Sequence, residues 1–254
     1  MNVTTDKYFT QNNICCLYNS ELFHRFVPEM LTSDYWQQQD AITGSAQGRG
    51  TTWFIRYVND EQENEQHWVL RHYYRGGLIG KLIQDSYLFN GINNTRAMRE
   101  FSLLNLLQQW QLPAPKPVAC RVTRHGPFGL CYRADLLSSR IENSQDLVAI
   151  LSKDNISDDL WQNIGATIRR FHDHGIYHHD LNAHNILINQ QQDIYLIDFD
   201  RGEVRQANED KQWKENNMAR LQRSFLKELK KLAVFHFTDR HWQLLHSGYT
   251  KELT

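Results

Sequence analysis

The stretch "YHHDLNAHNILINQQQDIYLIDFD", residues 177–200, sets three histidines, four aspartates and three asparagines among short apolar runs. Its pieces "NILI" and "DIYLID" are β-prone, and the polar "NQQQ" between them is a hairpin signal. In an antiparallel hairpin the residue entering the first strand lies beside the residue leaving the second. Asn185 and Asp198, thirteen positions apart, are therefore expected to meet at the open end, with Asp180 on the loop just before. Two carboxylates and an amide then form a hard oxygen donor set. Mg²⁺ suits such a set, because it takes one or two protein carboxylates and completes its octahedron with water and substrate phosphates. The spacing points to phosphoryl transfer.

Upstream of this stretch, Ser157 can cap a helix whose first turn carries Asp158 and Asp159, both favourable at the positive end of the dipole. Leu160, Ile164, Ile168 and Phe171 give it an apolar stripe, and Gly175 is a plausible C-terminal stop. His172 and His174 end this helix, where cationic side chains suit the dipole. "TRAMREFSLLNLLQQW" is a second helix behind a possible Thr95 cap, with Met98, Phe101, Leu104 and either Leu107 or Leu106 at helical spacing. "LPAPKP" stops it, because prolines lack amide donors and push their neighbours towards extended backbone. The strand-like "VACRV" and "GLCYRADLL" follow, separated by a turn at His125-Gly126-Pro127.

Before the second helix, "GSAQGRGTTWFIRYV" runs three glycines, Gly44, Gly48 and Gly50, into a β-rich segment, and "HWVLRHYY" continues it after a polar stretch. Residues 1–40 show little beyond a helix around Ser33 to Gln38. A last helix, about 208–232, is rich in Lys and Arg. The change from strand-dominated to helix-dominated text falls near Leu136, which places a strand-rich N-terminal lobe at 1–135 and a helix-rich C-terminal lobe at 136–254.

Bulk properties exclude several classes. The 254 residues are 41% hydrophobic, enough for a sizeable core, and the net charge of −1 argues against general nucleic-acid binding. The cysteines at 15, 16, 120 and 131 form neither a CxxC pair nor a disulfide ladder and read as reduced thiols. The N-terminus lacks a signal-peptide pattern, and no apolar run reaches membrane-spanning length, so the chain is expected to be neither exported nor membrane-spanning.

At residues 178–185 the text resembles a known catalytic loop. "HHDLNAHN" is similar to the protein-kinase motif H-R-D-L-x-x-x-N, with His178, Asp180, Leu181 and Asn185 in register, and "DFD" resembles D-F-G through Asp198 and Phe199. The resemblance implies that Asp180 accepts the proton of an attacking hydroxyl, that Asn185 binds a metal, and that Asp198 binds the Mg²⁺ bridging the phosphates of ATP. Glu100 would take the place of the helix-C glutamate, and Gly44, Gly48 and Gly50 that of the phosphate-covering loop. The glycine spacing G-x-x-x-G-x-G departs from the kinase G-x-G-x-x-G. Where kinases carry V-A-I-K, this chain has "WVLR". Arg71 is therefore the candidate for the lysine's role, with Lys81 in "GGLIGKL" as its rival. No A-P-E follows "DFDRG", so the resemblance implies an α+β, two-lobe kinase-like fold truncated after the DFG-like motif, without a peptide platform.

Most of the chain, from "GRGTTWFIRYV" to "LIDFDRG", resembles the bacterial lipopolysaccharide-core kinases that act on 3-deoxy-D-manno-octulosonic acid (Kdo). That resemblance implies transfer of the ATP γ-phosphate to O-4 of Kdo on a lipid A precursor, at the cytoplasmic face of the inner membrane. The interleaving of Arg71, Arg75 and Lys81 with Tyr73 and Tyr74 fits a loop reaching acidic headgroups. "MARLQRSFLKELKKLAVF" puts Leu221, Phe225 and Leu229 on one face with basic residues around the others; a core-packed helix with a solvated charged face is the simpler reading, and contact with an anionic membrane surface the second.

Competing readings are a phosphotransferase of the aminoglycoside or choline type, a kinase-like binding module without catalysis, and a metallohydrolase holding zinc or iron through the histidines of "HDHGIYHHDLNAH". The ordinary explanation of Arg71 and Glu100 is a surface ion pair of small value, and that of the glycines a plain loop. His178 is expected to scaffold its loop rather than to react.

Overall fold

The computed structural model describes residues 5–48, 50–59, 64–75, 85–206 and 212–251. The chain divides into two compact units, one of residues 1–105 with 116–140, the other of residues 106–115 with 141–254.

The first unit is built on an antiparallel sheet ordered β1-β2-β7-β8-β5-β4-β3. Its strands are β1 (Asp6–Gln11), β2 (Ile14–Asn19), β3 (Ile42–Gln47), β4 (Thr51–Asn59), β5 (Asn64–His72), β7 (Pro117–His125) and β8 (Cys131–Ser139), with the short β6 (Tyr87–Leu88) also pairing β8. The β1–β2 hairpin lies where the sequence shows no periodicity, because most of β1 is exposed and carries no alternating apolar face. Helix α1 (Ser33–Gln38) is capped by Thr32, whose hydroxyl accepts from the Tyr35 amide, and it buries Trp36. Trp36 joins Phe23, Ile55, Trp68, Val118 and Leu137 in one core.

The glycines divide between two settings. Gly44 is a strand residue opposite Phe54, beside a register shift in β3, and a Cβ there would sit 3.3 Å from the Phe54 ring. Gly48 and Gly50 form the β3–β4 turn, where the Gly48 amide donates to the Gly50 carbonyl. A Cβ on Gly50 would fall 2.0 Å from the Tyr74 ring, so glycine here lets the ring lie against the backbone, and a larger residue would have to displace the ring.

Helix α2 (Arg96–Gln109) buries Met98, Phe101, Leu104 and Leu107, while Leu106 stays half-buried. Thr95 does not act as the expected side-chain cap. Its hydroxyl donates to the Ile92 carbonyl, and the Arg96 amide donates instead to the Tyr132 hydroxyl. The helix ends before the proline run. Strand β8 continues past Leu136 to Ser139.

The second unit holds the short β9 (Ser144–Asp146) and α3 (Leu147–Leu151), then α4 (Asp158–Asp173), β10 (Ile176–Tyr177), β11 (Ile186–Asn189), β12 (Ile194–Leu196), β13 (Glu203–Val204), α5 (Gln212–Lys231) and α6 (Asp239–Thr250). Ser157 caps α4 by accepting from the Leu160 amide, its apolar stripe is fully buried, and Gly175 follows it at φ +74°. Helix α6 was not legible in the sequence; its capping box pairs Thr238 with His241 rather than with Glu or Gln. Gly165 of α4 and Gly248 of α6 let the two backbones touch, since a Cβ on Gly248 would lie 1.9 Å from the Gln162 carbonyl oxygen. In α5, Leu221 and Phe225 are buried but Leu229 is 42% exposed. Each step of four residues overshoots a turn by about 40°, so Leu229 rotates out of the apolar face and Glu228 takes the buried place.

Among the described residues no helix is long and apolar enough to cross a membrane, and all four cysteines are free thiols.

Candidate active site

The hairpin register is Ile186↔Leu196, Leu187↔Tyr195 and Ile188↔Ile194. One step further out, the Ile197 amide donates to the Asn185 carbonyl at 3.0 Å, and Asp198 follows immediately. Asp180, Asn185 and Asp198 line one pocket of about 490 Å³ in the second unit.

Several hydrogen bonds fix this end of the hairpin. His178 is buried, with Nε2 2.9 Å from the Ile197 carbonyl and Nδ1 accepting from the Asp180 amide at 3.2 Å. That pair of partners requires the Nε2–H tautomer, and burial pushes the imidazole below its usual range, which keeps it neutral. His178 is thus a brace between the loop and the strand end. Asn182 accepts from the His184 and Asn185 amides through Oδ1 and donates to the Asp180 carbonyl through Nδ2. Asn185 also donates its Nδ2 to the Asp180 carbonyl, at 2.9 Å. Its Oδ1, the amide atom able to ligate a cation, receives no hydrogen bond from a described residue. This oxygen, on a residue only 8% exposed, and the Asp198 carboxylate make a hard donor pair that fits Mg²⁺. Phe199 is fully buried and stacks on Phe171 of α4, which anchors the DFD segment, and Asp198 holds the left-handed φ of +63°.

Helix α5 supplies contacts that sequence reasoning missed. Asn217 donates to the His178 carbonyl at 2.8 Å, Ser224 accepts from the Ala183 amide at 3.0 Å, and Arg220 Nη1 lies 2.9 Å from Asp180 Oδ1. One signal was available. Trp213, Asn217, Leu221 and Phe225 recur every four residues, so Asn217 is a polar residue set in an apolar stripe. The Oδ1 of Asn217 faces His172 Nε2 at 3.1 Å, and the Tyr249 hydroxyl meets His172 Nδ1 at 2.7 Å. His172 therefore does not serve the helix dipole as a cation, because burial drives its pKa down to about 4. His174 does bond the end of α4, through Nδ1 to the Arg170 carbonyl.

In the first unit, Arg71 Nη2 lies 2.6 Å from both carboxylate oxygens of Glu100. The Tyr73 hydroxyl donates to Glu100 Oε2 at 2.7 Å, and burial followed by the Glu100 charge raises the Tyr73 pKa well above its ordinary value. The Glu100 side chain is only 3% exposed and Arg71 23%, so this is a part-buried pair and not the surface contact that is the simpler expectation. Lys81 lies outside the described residues.

The histidines do not gather around a metal. Among the described residues no group of three or more His, Cys, Asp or Glu side chains forms a metal-binding cluster, and the imidazoles at 172, 174, 178 and 184 each have hydrogen-bond partners.

Residues 33–249 match the lipopolysaccharide kinase (Kdo/WaaP) family. The chain belongs to that family. It is similar to proteins named 3-deoxy-D-manno-octulosonic acid kinase. The one from Photobacterium damsela subsp. piscicida is 48% identical over 92% of both chains, and the one from Mannheimia succiniciproducens 49% identical over 85% of this chain and 88% of the other. A third, from Haemophilus influenzae, is 41% identical over 95% and 98%. The solved structure of WaaP in complex with acyl carrier protein shares the fold, with a TM-score of 0.52 at 14% identity over 87% of this chain and 85% of that one. As a Kdo/WaaP-family kinase with an α+β kinase-like fold, the chain is a phosphotransferase acting on an alcohol group in lipopolysaccharide biosynthesis. The metallohydrolase reading is thereby excluded.

Proposed function

We propose that this kinase transfers the γ-phosphate of ATP to O-4 of Kdo on a lipid A precursor, working as a peripheral enzyme at the cytoplasmic face of the inner membrane. The observation that carries the reading is that Asp180, Asn185 and Asp198 line a single pocket. The names of the similar proteins supply the acceptor.

In this reading Asp180 accepts the proton of the acceptor hydroxyl, with Arg220 fixing the direction of its carboxylate. Asn185, through Oδ1, and Asp198 would hold Mg²⁺, which when bound spreads the charge of the β- and γ-phosphates. Arg71, positioned by Glu100, is the phosphate-binding cation of the first unit, with Lys81 as the alternative. The backbone around Gly44, Gly48 and Gly50 is the candidate phosphate cover. Exposed Leu226, Leu229 and Val234, at the end of α5 and just beyond it, are in keeping with contact to a bilayer surface.

The test is phosphoryl transfer from γ-labelled ATP to a Kdo-bearing lipid A precursor. The wild-type protein is expected to label the lipid, and Asp180→Asn to lose about 100-fold or more in turnover. Equal labelling by both proteins removes Asp180 from the role of base.

A further inference from the structure

The pocket holding Asp180 has one wall made by α5, and that wall is cationic: Arg220, Arg223 and Lys227 line it at spacings of three and four, which place them on one helix face. Arg220 is engaged by Asp180. Arg223 and Lys227 make no ion pair with any described residue, although the pocket also contains Glu228. That carboxylate is 4% exposed and faces other cations, with Oε1 3.6 Å from His184 Nε2 and Oε2 3.4 Å from Lys231 Nζ, although Oε2 receives no hydrogen bond from a described residue. The catalytic loop itself, "LNAHN" after Asp180, contributes no Lys or Arg. Among the described residues, every Lys or Arg of the pocket therefore comes from a helix some forty residues away in sequence.

We propose that Arg220, Arg223 and Lys227 form an oxyanion-binding subsite that seats a carboxylate or phosphate of the acceptor beside Asp180. The inference rests on the kinase reading of the pocket. An acceptor hydroxyl that gives its proton to Asp180 lies next to Arg220, so substituents a few ångströms away on the same molecule fall along the α5 row. Guanidinium groups match carboxylate and phosphate with paired hydrogen bonds, and an ammonium adds a mobile charge. The lining also holds the carboxylates of Asp180, Asp198 and Glu228, so the row disfavours a cationic group only where Arg223 and Lys227 face it, and there it acts as a specificity device as well as a binding one.

The experiment measures steady-state kinetics of the full chain with ATP and a detergent-dispersed Kdo-bearing lipid A precursor. It compares wild type, the double variant Arg223→Gln/Lys227→Gln, the single variant Arg223→Lys, and Lys230→Gln, which changes an exposed cation of α5 that does not line the pocket. The double variant is expected to raise the acceptor KM about 10-fold while the ATP KM and acceptor-independent ATP hydrolysis stay within about twofold. Arg223→Lys should keep most of the affinity and Lys230→Gln all of it. Two modified acceptors identify the anion: one with the sugar carboxyl converted to a primary amide, one with its phosphate esters removed. The modification that deletes the seated group should raise the wild-type KM and leave that of the double variant unmoved. An unchanged acceptor KM in the double variant, or an equal rise in Lys230→Gln, overturns the subsite while leaving the kinase reading intact. Absence of transfer by the wild type overturns the acceptor assignment, and the subsite with it.

Discussion

Asn217 donates its side-chain amide to the carbonyl of His178 at 2.8 Å, so helix α5 holds the backbone of the loop that presents Asp180. The same amide meets His172 through its oxygen, which makes Asn217 the joint between α4, α5 and the loop. Both neighbours are buried, and neither contact is open to replacement by water.

Replacing Asn217 with Leu leaves the His178 carbonyl and the His172 Nε2 without partners. The expected cost is about 1–3 kcal/mol of folding stability. Turnover should fall further than that loss of folded protein explains, because the loop loses its anchor. Urea melts together with kcat on folded protein separate the two effects; unchanged turnover would show that His178 and Asn182 hold the loop unaided.

The buried imidazole of His172 sets a pH dependence. Its pKa is about 4 in the folded chain against an ordinary 6.5, so between those values the unfolded chain binds more protons and stability falls as pH is lowered. By pH 4 this one group accounts for about 3 kcal/mol. His172→Gln should be less stable than wild type near neutrality yet show a shallower decline between pH 6.5 and 4. Parallel slopes for the two proteins in urea melts at pH 7.5, 6 and 4.5 would contradict the assignment.

In the first unit, both contacts from Arg71 to Glu100 come from a single nitrogen. A lysine ammonium can replace a point contact of that kind, so Arg71→Lys is expected to keep most of the stability. Arg71→Met takes the cation away from a carboxylate that is 3% exposed and should cost about 1–3 kcal/mol, discounted from a fully buried pair because Arg71 is itself 23% exposed. Thermal melts of the two variants give the comparison, and equal losses would mean that the fork geometry matters after all.

Where α4 meets α6, Gly248→Ala forces a methyl group onto the Gln162 carbonyl, 1.9 Å from its oxygen. The helices must separate, at an expected cost of about 1–3 kcal/mol, or roughly 2–10 °C in the melting midpoint. A midpoint equal to wild type by calorimetry would show that the helices part without strain.

Much of this architecture was legible because its causes are local. The Ser157 cap, the stripe Leu160, Ile164, Ile168 and Phe171, and the stop at Gly175 each depend on residues within a few turns of one another, and α4 forms as its sequence dictates. The meeting of Asn185 and Asp198 in one pocket was legible from the hairpin, but the register sets Ile197 opposite Asn185, and Asp198 comes one residue later at a left-handed φ. Locality also explains the errors. Thr95 carries a capping side chain, but the Tyr132 hydroxyl, 36 positions away, reaches the helix amide instead. His172 stands where a cation would suit the dipole, yet burial against α5 and α6 keeps it neutral.

By itself the sequence determined helices α1, α2, α4 and α5, the hairpin and the three oxygen-bearing residues gathered at its open end, since periodicity, caps and register are short-range properties of a chain. Only the tertiary structure decided that α5 would turn Asn217, Arg220 and Ser224 onto the loop of Asp180 and line its pocket with Arg223 and Lys227, which form no ion pair with a described residue. The basic run was visible as a run, but which face it shows depends on the packing of Leu221 and Phe225, with Glu228 rather than Leu229 drawn inside. That choice is made by contacts such as those of Phe225 with Trp161 and Phe237, between elements that only the folded chain brings together.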